Sequence, residues 1–171
     1  MKKKNKPAGQ FKAFYNSPIG LIEITGTDDS VSALYFVEEG FKPEFQSNSY
    51  LGNCAGQLDE YFNGKRKIFE IKLELEGTEF QKKVWNELLN IQYGETKSYL
   101  QISKIFGDVS AIRAVANANG QNRISIIIPC HRVIGSNGSL TGYAGGLWRK
   151  KWLLDHEQKF SDGEQQTELF E

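Results

Sequence analysis

The segment from Ile124 to Ile134 reads ISIIIPCHRVI and places Cys130 and His131 side by side at the end of an apolar run. A thiolate is the strongest nucleophile among the common side chains near neutral pH, and a neighbouring base or cation is what generates it. His131 and Arg132 follow at once. Pro129 fixes its own φ and drives Ile128 towards extended backbone, so the run should bend there and present the sulfur at a defined place. Neighbours in an extended strand face opposite ways, so cooperation between Cys130 and His131 requires a turn after Pro129 or a bridging water. Taken alone, a Cys-His pair more often marks a packed thiol beside an incidental imidazole. A carboxylate strengthens the chemical reading. Glu157 lies three and four residues after Leu154 and Leu153 and shares their inward face on a helix, whereas His156 is turned about 100° away. A glutamate on a buried stripe needs a partner.

The elements that must position these groups fall into an α/β N-terminal part and a mainly helical C-terminal part. Phe11 to Val37 alternates apolar and polar residues, with turn signals at Ser17-Pro18 and from Thr27 to Ser30, which predicts a small antiparallel sheet. Ser47 to Asn63 predicts a helix in which Tyr50, Cys54, Leu58 and Phe62 form the apolar face, so Cys54 reads as a packed thiol. Ile68 to Leu75 predicts one more strand, before a linker at Glu76-Gly77. Thr78 to Gln81 is a capping box opening a helix to about Asn90, with Phe80, Val84 and Leu88 on one face. Thr96 can start a second helix, with Tyr99, Ile102 and Phe106 inward and Gly107 ending it. Ser110 can cap a third, Ala111 to Asn119, closed by Gly120. The last two helices have the spacing of a helix-turn-helix unit. The divisions expected are 1–76 for the α/β domain with its basic leader, 77–158 for the helix-turn-helix and cysteine domain, and 159–171 for an acidic, disordered tail.

The third helix carries a second kind of signal. Ile112, Val115, Ala116 and Asn119 form the stripe expected to pack inward, which leaves Ala111, Arg113, Ala114, Asn117 and Ala118 outside. Small side chains let a helix approach a narrow groove of DNA closely, with one arginine free to insert. A surface helix rich in alanine for propensity alone is an equally good account of that face. The formal net charge is zero and gives no global signature of a nucleic-acid binder. Its distribution is uneven: between residues 97 and 132, Lys97, Lys104, Arg113, Arg123 and Arg132 stand against the single acid Asp108.

With 171 residues and 39% hydrophobic content the chain can bury a real core. Two cysteines, two histidines and no Cys-x-x-Cys spacing argue against a structural zinc site or a disulfide framework, so no metal is expected and a reduced, cytoplasmic setting fits. The opening MKKKNKPAGQ is basic but is followed by no apolar run, and no stretch approaches membrane-spanning length. A soluble, unexported protein is expected.

The run IPCHRV from Ile128 to Val133, Asn122 eight residues before the cysteine, the loop Gly142-Tyr143-Ala144-Gly145-Gly146 and the LLDHE stretch from Leu153 to Glu157 together closely resemble the O6-alkylguanine-DNA alkyltransferases, the methylated-DNA-protein-cysteine methyltransferases. The resemblance is specific from about Thr78 to Glu157 and is one of layout before that. It implies direct-reversal DNA repair: a suicide transfer of the alkyl group from O6-alkylguanine, and by extension O4-methylthymine, to an acceptor cysteine, with no cofactor. By the same resemblance Cys130 is the nucleophile, His131 draws off its proton through a water, Glu157 orients the imidazole, Asn122 holds the network, and Tyr99 assists the departing guanine. Arg113 fills the space of the flipped nucleotide, with Ala114, Asn117, Ala118 and Arg123 beside it on the DNA. Val133, Tyr143, Ala144 and Lys150 line the base pocket, Ala144 standing where relatives often carry serine. A monomer acting on double-stranded DNA is implied.

Three other readings attach to the same residues. A lesion-binding relative would lack the cysteine, a cysteine hydrolase would need an oxyanion hole and many turnovers, and a plain helix-turn-helix regulator would leave the Cys-His-Glu set unexplained. Finally, Gln166, Leu169 and Phe170 in the tail resemble the short Gln-x-x-Leu-Phe peptides that dock bacterial repair proteins on the sliding clamp, two exposed apolar residues at the end of a polar segment that a folded core could have used.

Overall fold

The computed structural model describes residues 9–38, 40–41 and 47–167. Three antiparallel strands open the chain, β1 (Phe11–Ser17), β2 (Gly20–Gly26) and β3 (Val31–Phe36), in the order β1-β2-β3. The Ser17 hydroxyl shapes the first turn by donating to the Gly20 carbonyl at 2.6 Å, and Gly20 sits at φ +121°, a conformation that costs an L side chain heavily. Helix α1 (Ser49–Phe62) is capped by the Asn48 side chain, which accepts from the Leu51 amide at 2.8 Å. Cys54, Leu58 and Phe62 of the expected stripe are buried and Tyr50 is half-buried, so Cys54 is a core thiol. Tyr61, outside that stripe, is fully buried as well.

No continuous strand forms over residues 68–75, where one was expected. Only a parallel bridge joins Leu73 to Val31, with the Val31 amide donating to Lys72 and the Glu74 amide to Val31, both at 2.9 Å. The same edge of β3 has a second customer: Leu34 bridges Ile124, its amide donating to Arg123 at 2.8 Å while the Ser125 amide donates to Leu34 at 2.9 Å. The edge strand is thereby shared between the linker and the segment that leads to Cys130, which protects it from further pairing.

Helix α2 (Glu79–Leu88) starts with the expected capping box, Thr78 and Gln81 bonding each other's backbone reciprocally. Val84, Trp85 and Leu88 are buried, while Phe80 is partly exposed against Phe106. Helix α3 (Tyr99–Ile105) begins at Ser98 rather than Thr96, because Ser98 and Gln101 form a capping box of their own. Just before it, β4 (Lys97–Ser98) pairs in parallel with β5 (Val133–Ile134), which fixes the start of α3 beside the residues that follow Cys130. After the Gly107 turn, Asp108 rather than Ser110 supplies the cap, for a 3-10 turn over Val109–Ala111 that leads into α4 (Ile112–Gly120).

The orientation of α4 differs from the expected one. Val115, Ala118 and Asn119 are buried and Ile112 is 37% exposed, a rotation of roughly 60° on a helix that turns 100° per residue. The reason lies in α2: the Trp85 indole donates to the Ala118 carbonyl at 2.8 Å, which turns the Ala118 side of α4 towards α2. Ala118 is therefore interior and does not belong to the outer face.

Helix α5 (Leu147–Thr167) is one element and continues through residue 159, where a disordered tail was expected to begin. It buries Leu153 and Glu157 as expected, and His156 in addition. Its second neighbour is α1: the His156 ring stacks on Trp152 at 4.9 Å and its Nε2 meets the Tyr61 carbonyl at 2.8 Å. Leu169 and Phe170 lie outside the described residues.

Candidate active site

The approach to Cys130 is a strained loop. After bridging β3 at Ile124, the chain passes through Ile126 at φ +72°, the sole described non-glycine residue with positive φ, buried to 1% exposure. Such a conformation costs about 1–3 kcal/mol and persists where the surroundings enforce it. Here the Ile127 amide donates to Ser125 and the Ile128 amide to Ile124, at 2.8 and 3.1 Å. Pro129 then ends the run, and Cys130–Arg132 form a single 3-10 turn. This is the turn that a cooperating Cys-His pair required.

Asn122 ties the loop together. Its Nδ2 reaches the Cys130 sulfur at 3.2 Å and the carbonyls of Ile128 and Ile124 at 3.0 and 3.3 Å, and its Oδ1 accepts from the Ile124 amide at 2.9 Å. Burial pushes the Cys130 thiol up, against the opposing pull of the Asn122 amide and the Lys150 ammonium. The resting sulfur is therefore neutral, and its activation calls for a proton acceptor.

That acceptor chain is built behind it. His131 Nε2 lies 2.7 Å from Glu157 Oε1, and no described residue bonds its other ring nitrogen, Nδ1, although that atom is buried. Burial pushes the imidazole down despite the carboxylate beside it, so it is held neutral and able to take a proton. Glu157 is 1% exposed and collects five donors. Oε1 takes His131, the Tyr61 hydroxyl at 2.7 Å and Arg132 Nη2 at 3.0 Å; Oε2 takes Arg132 Nε at 2.8 Å and the Gly94 amide at 3.2 Å. Burial alone would raise this carboxyl, but His131 and Arg132 outweigh it and hold the group well below the ordinary range.

Of the remaining expected residues, Tyr99, Tyr143 and Lys150 lie close enough to Cys130 to interact with it electrostatically. The Tyr99 hydroxyl donates to the Thr141 carbonyl at 3.0 Å. Lys150 is fully buried, with its Nζ on the carbonyls of Val133 and Thr141 at 2.5 and 2.8 Å and 5.8 Å from the centre of the Tyr99 ring, and burial lowers it to about 8. Its ammonium is thus committed to backbone. Tyr143 is buried and Ala144 exposed on the same glycine-rich loop. On α4, Arg113, Ala114 and Asn117 are exposed, whereas Arg123 is paired with Glu76 at 2.5 Å.

Sequence reasoning missed Tyr61 and Arg132 as partners of Glu157. Arg132 had one signal available, its place next to the Cys-His pair, since a buried glutamate calls for a cation as well as an imidazole. Tyr61 had none, because it arrives from another element 96 positions away. No group of acidic, histidine and cysteine residues suited to a metal ion occurs among the described residues.

Two family models match the chain: the ribonuclease-like domain of 6-O-methylguanine DNA methyltransferase over residues 11–75, and its DNA-binding domain over residues 79–159. A methylated-DNA–protein-cysteine methyltransferase of Methanosarcina acetivorans is 45% identical over 152 residues, covering 86% of this chain and 97% of the relative. That of Mycolicibacterium paratuberculosis is 44% identical over 150 residues, covering 85% and 91%. Among solved structures, the Mycobacterium tuberculosis O6-methylguanine methyltransferase superposes with a TM-score of 0.79 at 40% identity, covering 88% of this chain and 94% of the other. The Mycobacterium tuberculosis protein in complex with DNA gives 0.78 at 42% identity, covering 86% and 92%. With both halves matched, and with a buried thiol followed in sequence by an imidazole bonded to a buried carboxylate, this chain belongs to the 6-O-methylguanine DNA methyltransferase family.

Proposed function

We infer that the protein repairs alkylated DNA by moving the alkyl group from the O6 atom of guanine onto the Cys130 sulfur, once per molecule. The observation that carries this is the buried relay: a neutral thiol held by Asn122, next in sequence to an imidazole whose Nε2 is fixed on Glu157 and whose Nδ1 is left for a bridging water. Through that water His131 takes the thiol proton. The S–C bond then forms as the O6–C bond breaks, the electron pair of that bond goes to the guanine O6, the Tyr99 hydroxyl protonates the departing base, and the proton held on His131 restores the tyrosine through solvent. No electron is gained or lost, so the step calls for no cofactor. The thioether cannot be hydrolysed readily, which makes the transfer irreversible.

An alkylated base inside a duplex exposes too little of its alkyl carbon for in-line attack, so the nucleotide is extruded. Helix α4 is the reading element: Ala114 and Asn117 allow close approach to the minor groove, and Arg113, exposed and with no ion-pair partner among the described residues, fills the vacated stack. Arg123 contributes a weaker phosphate contact, since it must leave Glu76. Val133, Tyr143 and Ala144 form the walls around the guanine and Lys150 braces them; O4-methylthymine enters the same pocket. All of these groups come from one chain, which acts as a monomer. Both cysteines are free, and a nucleophilic thiol is preserved in a reducing cytoplasm. No described helix is long and apolar enough to cross a membrane.

Incubation with methylated duplex DNA followed by intact-mass measurement tests the reading. One methylene unit is expected on the peptide containing Cys130; label on Cys54, or repeated turnover, would overturn it. The tail reading is separate: Gln166, Leu169 and Phe170 dock on a sliding clamp. A labelled 162–171 peptide should bind clamp more tightly than its Leu169→Ala, Phe170→Ala variant, and equal binding by both would remove the idea without touching the chemistry.

A further inference from the structure

We propose that Arg149 is the positioning residue that sets the shape of the guanine pocket, by locking the 142–146 loop to the first β turn of the N-terminal sheet. The loop needs an outside anchor. It carries glycines at both ends in the left-handed region, Gly142 at φ +57° and Gly146 at φ +90°, and it is closed internally by a hydrogen bond from the Gly146 amide to the Tyr143 carbonyl at 2.9 Å. Two consecutive residues of α5 supply the anchors. Lys150 holds the near end through the Thr141 carbonyl. Arg149 holds the far end, Nη1 donating to the Gly145 carbonyl at 2.9 Å, and its Nε donates to the Ile19 carbonyl at 2.7 Å, 130 positions away.

The surroundings are shaped to that guanidinium. It lies 4.4 Å from the centre of the Phe36 ring and 4.5 Å from that of Trp148, close enough for both aromatic faces to attract the cation. A Cβ on Gly20 would stand 2.8 Å from Nη2, so the β1–β2 turn leaves room for it. A Cβ on Gly145 would meet Tyr143 at 2.9 Å and Phe36 at 3.0 Å, so the loop packs flat against both. Arg149 also walls a cavity of about 380 Å³ shared with Phe36, Ser125 and Ala144. The fork geometry matters, because a lysine has no planar pair of donors to bridge two carbonyls from separate elements.

This rests on the alkyl-transfer reading, and its consequence is a split between affinity and chemistry. Single-turnover transfer from free O6-benzylguanine is measured against concentration. In Arg149→Met the half-saturating concentration should rise about tenfold while the saturating rate constant stays within about twofold, because Cys130, Asn122, His131 and Glu157 are untouched. Arg149→Lys should recover part of the affinity and serves if the methionine variant folds poorly. Unchanged half-saturation, or a fall confined to the saturating rate, overturns the assignment. Amide exchange gives a readout independent of activity: the Gly146 amide should lose protection in the variant while the Ile128 amide, on the Cys130 loop, keeps it. Equal loss at both sites would mark general destabilisation and overturn the proposal. Should the parent take up no alkyl group, the transfer reading fails while this exchange comparison still decides the role of Arg149.

Discussion

Glu157→Gln is the most informative single change, because the structure lets its cost be worked out atom by atom. Both carboxylate oxygens are acceptors: three donors converge on Oε1 and two on Oε2, and Arg132 contributes to each. A glutamine has one acceptor oxygen and one NH₂. Whichever way the amide turns, its NH₂ faces an Arg132 donor, and the 8%-exposed guanidinium loses its counter-charge. Breaking a buried ion pair from one side costs about 3–5 kcal/mol. For a chain of this size each kcal/mol lowers the melting midpoint by about 2–4 °C, so a fall of roughly 6–20 °C is expected. The imidazole loses its charged partner too, and transfer measured well below the new midpoint should slow by about 10²–10⁴, the usual worth of a positioned general base. The assays are calorimetry and single-turnover transfer on methylated duplex DNA. A midpoint within 2 °C of the parent would show that the five-donor carboxylate is not the buried anchor described. A large melting loss with unchanged transfer would separate Glu157 from the relay.

Further outcomes follow from the same geometry. Cys130→Ala should abolish transfer yet keep affinity for DNA within a few-fold, since the thiol enters only the chemical step; a binding titration beside a transfer assay checks this. Arg113→Ala should slow repair in duplex DNA more than transfer from free O6-benzylguanine, which has no stack to leave, and equal losses would place Arg113 in folding instead. Acid should destabilise the fold in two stages. Burial holds His131 and His156 below their unfolded values, so the unfolded chain binds more protons as pH falls through about 6.5 and stability drops from there; the depressed Glu157 adds a second loss below about 4.3. A melting midpoint that stays flat between pH 7 and 5 would contradict the neutral burial of the two histidines.

The sequence by itself determined the parts whose causes are local. Alternation from Phe11 to Val37 gives a sheet because side chains of a strand alternate faces, and the capping box at Thr78 stops backbone amides from going unpaired, whatever surrounds it; the second box, at Ser98, was passed over for Thr96. Pro129 forces a break before Cys130, and the one-turn spacing to Leu153 places Glu157 inward. Asn122 was legible only through the resemblance of the whole motif to a family, since by itself it reads as a turn residue. What only the tertiary structure decided depends on which element arrives next to which. The rotation of α4 that buries Ala118 comes from the Trp85 indole on α2, and the burial of His156 comes from α1. The missing strand at residues 68–75 follows from the extent of β3: in the parallel register of Leu73 with Val31 the residues before Leu73 face the β2–β3 turn, and beyond Leu73 Ile124 already occupies the edge. Tyr61 meets Glu157, and Arg149 meets Ile19, across 96 and 130 positions. No periodicity encodes such contacts, because they are fixed by the packing of complete elements and not by the residues that flank either partner.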